Sequence, residues 1–491
     1  MTFQRNREVR NFTEAQDFPN FSLGAANLGL GNRLLAPTGS ISQWGLASYL
    51  GRVNYRLRDR YLFTLTGRID GSSRFGANNK YGFFPSGAFA WRVSDEPFLR
   101  DNRVFSDVKF RLSYGITGND GIGLYNSLSA YGTGRMVLND QEQLFIEASR
   151  IANPDLRWEK TAQFDAGIDF SVWNNRIQFT ADYYVKTTSD LLLSVELPAT
   201  TGFTSVLRNV GSVENRGFEL GINSTNINSG GFRWTTNGNV SFNQNKVTKL
   251  ADGVSQFFVG SESEVVVRVG QPLGSFYGVQ FDGIWQTAED IKAAGALAVP
   301  GSLPGAPRYK DVNGDGVYNA SSDRTVLGSG LPRYIFGITN NFSYKGFDVS
   351  VFLQGVQGNK IFNGTFRQIG GGDPGGGLLQ DFYDNAWRTT RPSNQYVALR
   401  QWTIPVSDYW VEDGSFVRLK NVSVGYQLPI KTKFLKRARV YVSGQNLLTF
   451  TKYRGYDPEV NSDFNSNTLY GFDRFAYPAS RTFTVGGNFT F

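Results

Sequence analysis

The run DVNGDGVYNASSD (311–323) spaces oxygen-bearing side chains as a calcium loop does. Asp311, Asn313 and Asp315 supply oxygens at the first, third and fifth positions, and Gly316 permits the sharp turn. The Val317 carbonyl falls where a fourth ligand belongs. The twelfth position, which should hold a bidentate Glu, is Ser322, with Asp323 one residue later. The same residue types also close Asx-type turns in long loops. The spacing leaves both readings open, a Ca2+ site or a self-bonded turn.

A second group is aromatic. Phe382, Tyr383, Trp387, Trp402, Tyr409 and Trp410 crowd into 358–414. Flat rings suit sugar rings or peptide side chains, but they can also pack on one another as the core of a long loop. GGGDPGGG (370–377) lacks the Lys-Ser/Thr of a phosphate cradle and reads as a loop tip. Asp95 and Glu96 form an acidic pair near a turn, whereas glycoside hydrolysis needs two carboxylates about 5–10 Å apart across a substrate. The chain has no His and no Cys. That removes the commonest general base, the thiol nucleophile, disulfides, and imidazole or thiolate metal sites. The search turns from catalysis to binding and transport, and no enzyme is expected.

Those residues must be positioned by strands. Aromatic residues make up 15% of the chain, with 56 Gly against 17 Pro. Such usage favours strands and turns over long helices. Period-2 alternation recurs in about 13 segments of about ten residues, the length a tilted strand needs to cross a bilayer. Phe483, Val485, Gly487, Phe489 and Phe491 alternate with Thr482, Thr484, Gly486, Asn488 and Thr490. Phe164, Ala166, Ile168 and Phe170 lie opposite Gln163, Asp165, Gly167 and Asp169. Charged residues at alternate positions are costly in a dry core and fit a wet barrel lumen. Trp44, Tyr61, Trp91, Tyr114, Trp173, Trp234 and Tyr344 sit near segment ends, as interfacial girdles or cross-strand pairs would.

The expected fold is an all-β, transmembrane, antiparallel up-and-down β-barrel. Short turns (57–59, 173–175, 228–230, 344–346) alternate with long loops (118–159, 188–211, 246–331, 358–414, 451–479), as in outer-membrane barrels. An odd strand count with short turns facing the periplasm places 1–43 outside as an extracellular loop segment and 44–491 in the barrel. It also predicts a partial barrel whose N-terminal strands lie upstream. MTFQRNREVRNF has no apolar core, so an export signal would also lie upstream. The net charge of +8 is scattered, apart from short clusters such as KTKFLKRAR (431–439), so no nucleic-acid partner is expected.

Several strings resemble the SusC/RagA family of TonB-dependent outer-membrane transporters. They include SYLGRVNYRLRDRYLFTLTGRIDGSSRFG (48–76), NPDLRWEKTAQFDAGIDF (153–170), NVGSVENRGFELGI (209–222), FVRLKNVSVGYQLP (416–429) and the closing FTVGGNFTF. The resemblance implies a barrel of about 22 strands, of which this chain holds the C-terminal portion, with the plug and the first strands upstream. It implies the outer membrane of a Bacteroidetes-like Gram-negative bacterium and uptake of a glycan or peptide. The implied partners are outer-membrane lipid, a SusD-like surface lipoprotein and TonB. Terminal Phe491 resembles the signal read by the barrel-assembly machinery. The alternatives are a passive porin or structural barrel component, or a soluble carbohydrate-binding β-protein.

Overall fold

A computed structural model describes the chain except residues 21–26, 101, 204, 370–376, 400–403, 431–433, 464, 465 and 467. Its main element is a 14-stranded sheet in which chain order and spatial order coincide. The strands are β1 (Thr2–Phe12), β2 (Thr38–Leu57), β3 (Tyr61–Ser72), β4 (Tyr81–Arg92), β5 (Phe105–Asn119), β6 (Glu159–Val172) and β7 (Ile177–Ser189). Then come β8 (Ser212–Ser229), β9 (Phe232–Lys249), β10 (Tyr334–Tyr344), β11 (Phe347–Gln357), β12 (Phe416–Leu428), β13 (Arg437–Thr451) and β14 (Thr482–Thr490). Each pairs antiparallel with the next, the meander of an up-and-down barrel wall.

Alternation sorts the side chains between two faces. Phe164, Ala166, Ile168 and Phe170 of β6 stand opposite Val185, Tyr183, Ala181 and Phe179 of β7. Asp165 and Asp169 stand in the other row, opposite Tyr184 and Thr180. On the apolar face Phe63, Leu65, Ile69, Phe483, Val485 and Phe489 remain exposed. So extensive an apolar surface is unstable in water and normal against lipid. No helix among the described residues is long and apolar enough to cross a membrane, which says nothing of a β-barrel. β2, at 20 residues, exceeds the roughly ten that a tilted strand needs and projects past the bilayer.

Connections alternate as expected. On one rim they are tight: Gly230–Gly231 and Lys345–Gly346 take positive φ at both positions, the turn whose twist matches a hairpin. On the other rim lie 13–37, 73–80, 120–158, 190–211, 250–333, 358–415 and 452–481.

The N-terminal expectation needs correction. Residues 1–43 are not wholly a loop, because Thr2–Phe12 forms a strand that pairs with β2 over Thr38–Ser48. The count is therefore even, and Thr2 lies on the same rim as Thr490, so the odd-count argument falls. Alternation missed β1 because Arg5 and Arg7 share a row with Phe3 and Val9. The strand is held by main-chain pairing, with all its side chains exposed.

Candidate functional site

The polar face carries cross-strand ion pairs. Arg111 on β5 holds Asp169 on β6 through two hydrogen bonds, of 2.9 and 2.8 Å. It also lies 2.8 Å from Asp182 on β7, one strand further on, and Lys109 adds a 2.9 Å contact to Asp169. Gly167 makes the longer reach possible: a Cβ there would fall 2.1 Å from the Asp182 carboxylate and 2.7 Å from the guanidinium. The device recurs. Arg439 on β13 crosses β12 to Asp348 on β11, passing over Gly425, where a Cβ would lie 2.3 Å from Arg439 Nη2. Gly425→Ala should therefore cost about 1–3 kcal/mol through overpacking. Urea unfolding of the full-length protein in bilayers measures it, and an unchanged midpoint would refute the reading.

Three long connections, 250–333, 358–415 and 452–481, fold into one body. Their shared core holds Val265 and Phe276 from the first, Phe362, Phe382 and Trp410 from the second, and Phe472 from the third. Lys360–Asn363 pairs with Val411–Asp413 and, in parallel, with Phe472–Asp473. Buried Asp473 accepts from Thr365 at 2.8 Å and from Tyr453 at 2.6 Å. Burial first, then the Asp473 bond, pushes the Tyr453 hydroxyl far above its ordinary range. Arg367 forks onto Glu262 (2.7 and 2.8 Å), and Arg474 reaches Glu264 at 3.0 Å. These four charged residues border a cleft of about 470 Å³ between the connections. Local sequence carried no signal for them, since the partners lie 105 and 210 residues apart.

The aromatic group divides. Phe382 and Trp410 have no exposed surface and Trp387 is 8% exposed, so these three serve as core here and offer no face to a ligand. Tyr409 is partly buried, packs on Phe281 at 4.8 Å and donates to the Gln395 carbonyl at 2.6 Å. Tyr383 is the accessible one, 48% exposed with Arg388 over its ring. Trp402 and most of the 370–377 tip lie outside the described residues.

The 311–323 segment closes on its own amides. Asp311 accepts from Gly314 and Gly316 at 2.6 and 2.8 Å, and Asp315 accepts from Val317 at 2.8 Å. Asp315 also receives the Asn313 side-chain amide at 2.9 Å. Asp323, fully buried, accepts from Val312, Asn313 and Asn319. Burial pushes its carboxyl up, but these three amides outweigh that and hold it below the ordinary value. Both oxygens of the one acid near the bidentate position are thus engaged. Among the described residues no cluster of three acids is placed to hold a metal. The geometry favours the turn.

The Asp95–Glu96 pair is engaged too. Asp95 pairs with Arg92 at 3.2 Å. Glu96 accepts from Tyr61 at 2.6 Å, Arg60 at 2.8 Å and Trp91 at 3.1 Å. The Tyr61 bond, then that of Trp91, lowers its pKa. It anchors the 93–104 connection to the short-turn rim. Terminal Phe491 is 77% exposed on that rim.

Residues 2–447 match the family model described as TonB dependent receptor-like, beta-barrel. The chain belongs to this family. Among members of the TonB-dependent receptor family, it is 38% identical over 504 residues to TonB-dependent receptor P3 of Formosa agariphila, covering 100% of this chain and 50% of that protein. It is 34% identical over 455 residues to TonB-dependent receptor SusC of Bacteroides thetaiotaomicron, covering 90% and 43%. The RagAB peptide importer in its closed-closed state superposes with a TM-score of 0.78 at 26% identity, over 99% of this chain and 55% of that one. The chain thus resembles SusC and RagA within the TonB-dependent receptors, and spans about half the length of the relatives it matches. These relatives carry the names of receptors and an importer.

Proposed function

We propose that this chain supplies the C-terminal wall and the ligand-contacting loops of an outer-membrane importer for glycans or peptides. One observation carries the reading beyond the family: the long connections leave a single rim, and three of them build one cored body there. A body anchored to the wall by packing can capture a large ligand at the mouth of a charged lumen. The partners in this reading are TonB, a SusD-like lipoprotein, and the barrel-assembly machinery acting through Phe491. Uptake of labelled oligosaccharides and oligopeptides by cells expressing the full-length protein is the test. Uptake should stop when TonB is removed. Flux that persists without TonB would make the protein a passive channel.

A further inference from the structure

The apolar face of the wall changes its chemistry toward the long-loop rim. Side chains of one face line up in rows across β7, β8, β9 and β10. Tyr183, Phe218, Phe242 and Tyr334 pair in sequence as an aromatic row. One step toward the loops, the row is Val185, Arg216 and Gln244. One step toward the short turns, it is Ala181, Leu220, Val240 and Phe336. The wall therefore reads basic, then aromatic, then aliphatic along the membrane normal.

Two clefts follow the same order. The upper, of about 820 Å³, is lined by Tyr183, Phe218 and Phe242 together with four cations, Arg216, Lys246, Arg333 and Lys360. Its lining contains no Asp or Glu. None of the four cations forms an ion pair among the described residues; Arg216 is steadied only by a 2.9 Å bond to the Gln244 side chain. Lys360 lies in the field of Asp413 and Asp408, farther off. The lower cleft, of about 560 Å³, is lined by residues such as Phe179, Leu220, Ile222 and Val240, without one charged side chain. Arg216 and Lys246 share the face of Phe218 and Phe242 and have no ion-pair partner among the described residues, so an anion joining them there is favourable. Tyr183 and Tyr334 give the aromatic row the amphipathic rings that favour the headgroup level.

We infer that these clefts bind one acylated, phosphorylated lipid of the surrounding outer leaflet. Its phosphate lies among Arg216, Lys246, Arg333 and Lys360, and a chain lies along the aliphatic cleft below. Arg offers phosphate a planar fork, and Lys a point charge. The inference rests on the membrane placement of the family and not on import, so binding is measured without transport.

The experiment uses the full-length protein, purified and delipidated. It is titrated with a bis-phosphorylated acylated glucosamine disaccharide, with the same lipid after phosphate removal, and with inorganic phosphate. Native mass spectrometry and thermal shift read binding. The phosphorylated lipid should bind and stabilise; the dephosphorylated lipid should bind at least about tenfold more weakly. Arg216→Gln with Lys246→Gln should lose about fivefold per cation removed, the scale usual for basic side chains at an anionic membrane surface. Arg58→Gln on the opposite rim should bind as the parent does. Equal binding of the two lipids, or unchanged binding in the double variant, overturns the inference. Inorganic phosphate binding as tightly as the lipid overturns it in favour of an adventitious ion only. If the double variant does not fold, the comparison of the two lipids on the parent protein decides.

Discussion

Arg418→Ala should release the 452–481 connection from the barrel rim and cost about 3–5 kcal/mol, the range for breaking a buried ion pair from one side. Arg418 projects from β12 and is 2% exposed. Its guanidinium holds Asp457 and, at 3.0 Å, Glu459, which Lys420 also grips at 2.6 Å. Asp457 is further bound by the amides of Glu459 (2.9 Å) and Ala479 (3.1 Å), so one carboxylate closes both ends of the segment. Truncating Arg418 leaves that carboxylate buried and short of its cation. Burial pushes the Asp457 carboxyl up, but Arg418 and the two amides prevail and hold it below 3.8. The sign follows: its stabilisation is full above the unfolded value of 3.8 and is lost as pH falls through the lower folded value. Hydrogen exchange of the full-length protein should show protection in 452–481 collapsing in the variant at neutral pH, and in the parent only in strong acid. Protection unchanged at neutral pH in Arg418→Ala would sink the argument.

Phe472→Ala should cost about 3–5 kcal/mol and act on three connections at once. The ring is fully buried, with centroids 5.3 Å from Phe276 and 5.4 Å from Phe362. Those partners belong to different connections, so the cavity left by truncation borders all of them. Tyr383→Ala, at a half-exposed ring in the same body, should stay within about 0.5 kcal/mol, as surface changes do. Limited proteolysis is a direct readout. Cleavage should accelerate together in 250–333, 358–415 and 452–481 for Phe472→Ala, and nowhere for Tyr383→Ala. Acceleration confined to 452–481 would show that the connections are separate bodies.

The wall was legible because lipid on one side and a wet lumen on the other impose alternation that each strand must obey by itself. β6 announced both faces through Phe164 to Phe170 and Asp165 to Asp169, and the pairing agrees. β1 gave no such signal, since Arg5 and Arg7 interrupt its apolar row and it pairs with its neighbour mainly through main chain. The loops were legible in composition but not in direction. Trp410 and Tyr383 are both aromatic residues of one loop, yet one is sealed and the other open, and only tertiary packing separates them. In 311–323 the spacing of Asp311, Asn313 and Asp315 fits a calcium loop and an Asx-type turn alike. What spacing omits is that each carboxylate already has backbone amides to accept from. The pairs Arg367–Glu262 and Arg474–Glu264 join separate connections, so no local pattern encodes them.

Gly167 and Gly425 contribute nothing to their diagonal ion pairs except room. Tolerance at these positions is therefore conditional. A methyl group that is harmful while Arg439 spans the strand becomes harmless once Arg439 is shortened, whereas at Gly167 both Arg111 and Asp182 must be shortened. Each glycine is thus bound by epistasis to charged residues on the adjacent strands, Gly425 to Arg439 and Gly167 to Arg111 and Asp182. The permitted order of change runs one way, charge first and glycine second, so these strands would retain an empty position long after the pair that needed it had gone.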